Sequence, residues 1–174
     1  AAYVTSISGL PVSPEQLVSY IYEPAVSPHL AAQLEKRPVD MKKIQSDFHH
    51  IATQFDVVVT EGSGGIICPL RMDSSPIMLT DVIQTLHLPI LIVAHAGLGT
   101  INSTVLTAAY AKQHNITVNG IILNQYDSNN LMHRDNKKQI EHLTGIPVVA
   151  CVKSNETELS VSAELLLHLC NDIS

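Results

Sequence analysis

Glu61 stands between a valine run and a glycine-rich turn, in Val57-Val58-Val59-Thr60-Glu61-Gly62-Ser63-Gly64-Gly65. Branched aliphatic residues favour a buried strand, and glycines let backbone approach a ligand closely. In open parallel sheets ligands bind outside the carboxyl ends of the strands. A carboxylate at such an end, beside glycines, can hold Mg²⁺ for phosphoryl transfer; an acid capping an ordinary turn is the structural alternative. The pattern repeats where the apolar run Leu88–Ala94 enters His95-Ala96-Gly97-Leu98-Gly99-Thr100 and then a helix. Unpaired amides and the positive dipole end of that helix suit an anion, although the same residues could be a helix start only. Two more junctions follow, Asn124 after Val118–Leu123 and Lys153-Ser154 after Val148–Val152. Asn124 can donate and accept at once, which fits the edge of an adenine as well as it fits a turn.

The elements that must position these residues are legible from period and punctuation. Ser13-Pro14-Glu15-Gln16 carries the cap, first-turn proline and N3 glutamine of a helix start. Tyr20-Ile21-Tyr22 could be extended, and helical composition resumes over His29–Glu35 after two loop prolines. Ile44, Phe48 and Ile51 recur at helical spacing between Asp40, a plausible cap, and Gln54, leading into a strand at Val57. After the polar turn Asp73–Pro76, Leu79, Val82, Ile83 and Leu86 form a second helical stripe. A helix over Ile101–Lys112 is expected to face inward with Leu106 and Ala109. A polar helix with Ile140 and Leu143 on one side separates the last two strands, and a final helix runs over about Leu159–Cys170. Strands alternating with helices of this length make an α/β fold, a parallel sheet with helices on both faces.

Length and composition narrow the function classes. The 174 residues fit one domain, 1–174, able to bury an α/β core, with 45% hydrophobic and 15% charged residues. A net charge of -6 with ten Lys and Arg argues against a nucleic-acid surface, while leaving room for a bound nucleotide. Cys68, Cys151 and Cys170 lack C-x-x-C spacing and point to a reducing cytoplasm, with Cys68 and Cys151 reading as small apolar core residues. The first residues lack the pattern of a signal peptide, and the longest apolar run is too short to span a membrane. The histidines are scattered, so a histidine metal site is not expected, and His29 and His95 read as packing or loop residues. The chain contains no G-x-x-x-x-G-K-[ST] loop, no G-x-G-x-x-G fingerprint and no G-x-S-x-G elbow.

Three ordered segments carry a family resemblance. Ser27-Pro28-His29-Leu30-Ala31-Ala32, Glu61-Gly62-Ser63-Gly64-Gly65 with Pro69-Leu70, and Leu98-Gly99-Thr100-Ile101-Asn102-Ser103-Thr104 resemble the signature segments of dethiobiotin synthetase. The resemblance reaches from about Ala1 to the last helix and implies a P-loop NTPase-like fold. The family opens with a strand, P-loop and helix, then strands carrying a lysine and an aspartate. The expectation is therefore that a βα-plus-β portion of about 30 residues or more precedes Ala1 and that the intact mass exceeds that of this chain.

The family's reaction, as the resemblance implies it, forms the ureido ring of dethiobiotin from 7,8-diaminopelargonate, CO₂ and MgATP in a cytoplasmic homodimer. Carried over by position, Glu61 resembles the catalytic Mg²⁺ ligand. Glu61, Gly62, Ser63 and Gly64 lie along the nucleotide and Gly65 along the substrate. Leu98, Gly99, Thr100, Ile101 and Asn102 resemble the segment that binds the substrate carboxylate, reached from the neighbouring subunit. Asn124 resembles the adenine-contacting asparagine, with Gln125 beside it. Lys153 and Ser154 occupy the nucleotide-side segment where the family carries an isoleucine-proline pair, and a family glutamate there corresponds to Glu156 or Glu158. The alternatives are a non-catalytic or truncated relative that keeps the dimer and carboxylate-binding surfaces, or another P-loop amidoligase.

Overall fold

A computed structural model describes residues 2–171, which fall into two compact units dividing between Leu86 and His87. In the first unit, α1 spans Ala2–Ser8, a segment whose sequence carries no clear helical period. A 3-10 turn over Pro14–Leu17 follows, closed as its capping pattern predicts by the Ser13 amide donating to Gln16 Oε1 at 2.8 Å. Helix α2 is Pro28–Leu34, with Ala31 and Ala32 buried, and α3 is Met41–Ala52. Asp40 caps α3 as expected, its Oδ1 accepting from the Lys42 amide at 2.9 Å. Tyr20-Ile21-Tyr22 forms no strand; the Tyr20 hydroxyl instead accepts from the Asp40 amide at 2.8 Å.

The expected strand at Val57 does not form. Among the described residues no backbone hydrogen bond joins residues 57–66, and Val59 is 84% exposed. A strand is stable only when a neighbour takes up its amides and carbonyls, and β-branched composition cannot supply that neighbour. A short antiparallel pair appears instead, β1 Pro69–Arg71 with β2 Ile77–Met78, around the predicted polar turn. Asp73 organises that turn, its Oδ1 accepting from the Ser75 amide and from Arg71 Nε, both at 2.8 Å. Helix α4, Leu79–Thr85, packs Val82 into a small core with Val39 and Ile77.

The second unit is the alternating part of the chain. Strands β3 Ile90–His95, β4 Val118–Asn124 and β5 Val148–Val152 form a parallel sheet in the order β3-β4-β5. Helices α5 Thr100–Gln113, α6 Leu131–Thr144 and α7 Ala163–Asn171 flank it. This is the α/β class that the alternation predicts. Register pairs Ile92 with Ile121 and Ala94 with Leu123, and these four form a core with Ala96, Ala108 and Ile140. Ile121, Leu123 and Ile140 are fully buried, each worth about 1.5–3 kcal/mol of apolar burial.

The helix faces differ from the periodicity reading. The buried side of α5 is Thr100, Thr104, Ala108 and Ala111, whereas Leu106 is 60% exposed and Ala109 is also exposed. Apolar residues occur all round this helix, so their spacing does not select a face. Small side chains pack inward because they let the helix lie close to the sheet. On α6, Ile140 is buried and Leu143 is 57% exposed. Helix α7 starts later than its composition suggests, where Ser162 Oγ accepts from the Leu165 amide at 3.1 Å. Asn119 Nδ2 then donates to the Leu169 carbonyl at 2.7 Å and ties α7 to β4. Among the described residues no helix is long and apolar enough to cross a membrane.

Candidate functional site

The carboxyl ends of the three strands of the second unit collect most of the residues singled out in the sequence. Register sets His95 beside Asn124 and Asn124 beside Val152, so the turns that follow share one edge of the sheet. The turn after β3 holds Leu98 to Asn102, the end of β4 holds Asn124 and Gln125, and Lys153 and Ser154 follow β5. A parallel sheet presents its ligand edge on this side because each strand there hands over to a helix.

Gly99 makes the first turn possible. It sits at the N-cap of α5 with φ 88°, the left-handed region in which a side chain would be strained. Beyond it, the Ser103 amide donates to the Gly99 carbonyl at 3.2 Å. The amides of Ile101 and Asn102 have no acceptor among the described residues. They lie in the first turn of a fourteen-residue helix whose dipole favours negative charge at that end. Leu98 is 94% exposed at the tip of the turn.

At β4 the side chain of Asn124 is half committed. Its Oδ1 accepts from the Gln125 amide at 2.9 Å, which leaves Nδ2 as a donor. Gln125 has φ 56°, an uncommon conformation for a side-chain-bearing residue, placed directly at the strand end. The Tyr126 amide then donates to the Val152 carbonyl at 2.8 Å, tying this loop to β5. After β5, Glu156 Oε2 accepts from the Lys153 amide at 2.8 Å, so its carboxylate is engaged locally. No hydrogen bond or ion pair is described for the Glu158 carboxylate. Burial pushes the Cys151 thiol up, with Lys137 opposing and Glu141 reinforcing the shift. It therefore stays protonated as a core residue, as does Cys68, raised by burial alone.

Glu61 to Gly65 belong to the first unit, on an exposed loop rather than at a strand end. Gly64 has φ 82°, a conformation that strains a side chain, and a Cβ at Gly62 would lie 2.8 Å from Leu79 Cδ2, whose leucine would have to shift to admit it. The Glu61 carboxylate is exposed and takes part in no described hydrogen bond or ion pair. That hard oxygen donor fits Mg²⁺, which is held by one or two carboxylates together with water and phosphate oxygens. Among the described residues no three metal-ligating side chains gather, so Glu61 would hold the ion together with ligands other than these residues.

Asn136, which the sequence did not mark, and His95, which it read as a packing or loop residue, lie at the edge of this site. Asn136 lies on a helix whose other residues are mostly polar, and nothing local distinguishes it from them. His95 followed by alanine and glycine carried a weak signal, since a ring needs a glycine beside it to fold back over a turn.

Comparison with known proteins shows the family of the chain. A family profile described as an AAA domain matches residues 1–160. An ATP-dependent dethiobiotin synthetase BioD of Clostridium botulinum (strain Alaska E43 / Type E3) is 50% identical over 151 residues, covering 87% of this chain and 66% of the relative. The protein of the same name from Brachyspira hyodysenteriae is 49% identical over 153 residues, covering 87% and 69%. A third, from Clostridium botulinum (strain 657 / Type Ba4), is 45% identical over 173 residues, covering 99% of this chain and 76% of the relative. The chain thus spans about two thirds to three quarters of these relatives, and it belongs to the ATP-dependent dethiobiotin synthetase family, ligases of biotin biosynthesis.

Proposed function

We propose that the protein closes the ureido ring of dethiobiotin from 7,8-diaminopelargonate, CO₂ and ATP. The observation that carries this reading is the shared sheet edge, where a helix N-terminus, the strand-end asparagine and the segment after β5 lie side by side. One amine of the diamine adds to CO₂ and loses a proton to give a carbamate. The carbamate oxygen takes the γ-phosphoryl group and releases ADP. The second amine then attacks the carbamoyl carbon, and phosphate leaves as the ring closes.

The residues of this chain supply position and charge. The free amides of Ile101 and Asn102, with the Asn102 side chain, take the diamine's remote carboxylate and so orient both amines. Asn124 Nδ2 and the neighbouring Gln125 face the adenine edge, and Lys153 and Ser154 border the nucleotide. The Glu158 carboxylate is the better candidate for a nucleotide-side role, because that of Glu156 is spent on the Lys153 amide. Glu61 holds Mg²⁺, with Gly62, Ser63 and Gly64 along the nucleotide and Gly65 along the substrate. The cation neutralises charge that develops on the phosphates. Exposed Leu98 and Leu106 support a homodimer in which the carboxylate turn serves the neighbouring subunit's site. Free thiols at Cys68, Cys151 and Cys170 fit a reducing cytoplasm.

The test is ADP release by the full-length protein with and without each component. Release that requires Mg²⁺, CO₂ and the diamine together is the expected result. ADP formed at the same rate without the diamine points to an ATPase, and no nucleotide binding at all points to a non-catalytic relative. Asn102→Ala is expected to raise KM for the diamine by about ten- to hundredfold, the scale of one hydrogen bond to a charged group, with KM for ATP unchanged. Equal effects on both substrates would remove Asn102 from the carboxylate site.

A further inference from the structure

Asn136 is 7% exposed on α6, and its Nδ2 donates to the carbonyls of Ala96 at 2.9 Å and Gly97 at 3.1 Å. Both carbonyls belong to the turn that leads into Leu98–Asn102. A buried amide that spends its donors on consecutive carbonyls holds the backbone in one conformation, since releasing the Ala96 carbonyl would strand a buried acceptor, while that of Gly97 would keep only the Thr100 amide at 3.3 Å.

The same turn is gripped from its other side by His95. The Gly97 amide donates to His95 Nδ1 at 2.9 Å, so in the neutral ring Nδ1 carries no proton. The proton sits on Nε2, which donates to Gln125 Oε1 at 2.6 Å. The ring folds back over the turn because residue 97 is glycine; a Cβ there would lie 2.8 Å from His95 Cε1. Gln125 in turn donates its amide to Asn124 Oδ1. One line of hydrogen bonds therefore runs from α6 through the turn and the imidazole to the end of β4.

We propose that His95 and Asn136 are positioning residues that set the carboxylate turn and the Asn124–Gln125 loop as one assembly. His95 is the side-chain link between them, and Asn136 is the anchor of the turn alone. This rests on the reading of those two segments as substrate and base subsites. Its consequence is that the affinities for the diamine and for ATP are coupled through one imidazole, while neither residue touches the reacting atoms.

The experiment compares full-length wild type with His95→Ala, His95→Asn and Asn136→Asp, reading amide hydrogen exchange over residues 97–102 and steady-state KM and kcat. His95→Ala is expected to speed exchange across the turn and to raise both KM values about fivefold, the scale of one lost hydrogen bond, with kcat within about twofold. His95→Asn can still accept from the amide two residues on, as in an Asx-turn, but cannot reach Gln125. It is expected to restore turn protection and the diamine KM while leaving the ATP KM raised. Asn136→Asp keeps the size but removes the donors, and is expected to raise the diamine KM alone. The proposal is overturned if His95→Ala leaves exchange and both KM values unchanged, if only kcat falls, or if His95→Asn behaves as His95→Ala. Should wild type bind neither ligand, the subsite reading fails, whereas the exchange data still decide whether His95 holds the turn.

Discussion

Glu61→Ala is expected to lower diamine-dependent ADP formation by about 100-fold or more while leaving the fold intact. The magnitude is that of removing one preorganised charge-stabilising group from a phosphoryl-transfer site. The fold should survive because the Glu61 side chain is exposed and engaged in no described hydrogen bond or ion pair. An exposed substitution of this kind shifts stability by no more than about 0.5 kcal/mol. Raising Mg²⁺ should recover part of the lost rate, since the cation is bound jointly with the nucleotide. A variant that turns over normally at the same Mg²⁺ concentration would show that Glu61 is not the ligand. A variant with a lowered melting temperature would show instead that the loop carries structural weight.

Ile140→Ala is expected to cost about 2–5 kcal/mol, read as a lower urea midpoint with an unchanged slope. Ile140 is fully buried and is the α6 side chain in the core that holds Ile92, Ala94, Ile121 and Leu123. Deleting its methyl groups leaves a cavity under a helix that cannot collapse far, because Asn136 one turn earlier is tied to the carbonyls of Ala96 and Gly97. Leu143→Ala is the control: at 57% exposure it should cost less than about 0.5 kcal/mol. Equal losses would mean that α6 faces the sheet differently. Since Asn136 and Ile140 share one face of α6, a loosened helix should also loosen the turn. The Ile140 variant is therefore expected to raise KM for the diamine before it loses its fold.

Local chemistry was the readable part of both units. Asp40 caps α3 through Lys42, and the Ser13 to Gln16 pattern closes its 3-10 turn, because a cap is satisfied within a few residues. The strands at Ile90, Val118 and Val148 were equally legible, since continuous apolar runs between glycine, asparagine and proline signals suit a sheet covered by helices. The run at Val57 has the same composition and forms no strand. What differs is the partner: β3, β4 and β5 satisfy one another, and residues 57–66 find no backbone acceptor among the described residues.

Helix faces and side-chain links depended on contacts that period does not encode. In α5 leucines, alanines and threonines lie all round the helix, and close approach to the sheet chose Thr104, Ala108 and Ala111 over Leu106. His95 and Asn136 were invisible as a pair because forty-one positions of the chain separate them, and only the β3–α5 turn brings both to Gly97.

By itself the sequence determined the family and the alternation of strands and helices in the second unit, because each is written in residue type and short-range spacing. The tertiary structure alone decided which helix face is inside, that Glu61 stands on a loop and not at a strand end, and that an imidazole joins two of the strand-end segments. Those outcomes depend on burial and hydrogen-bond partners far apart in the chain, which no local pattern records.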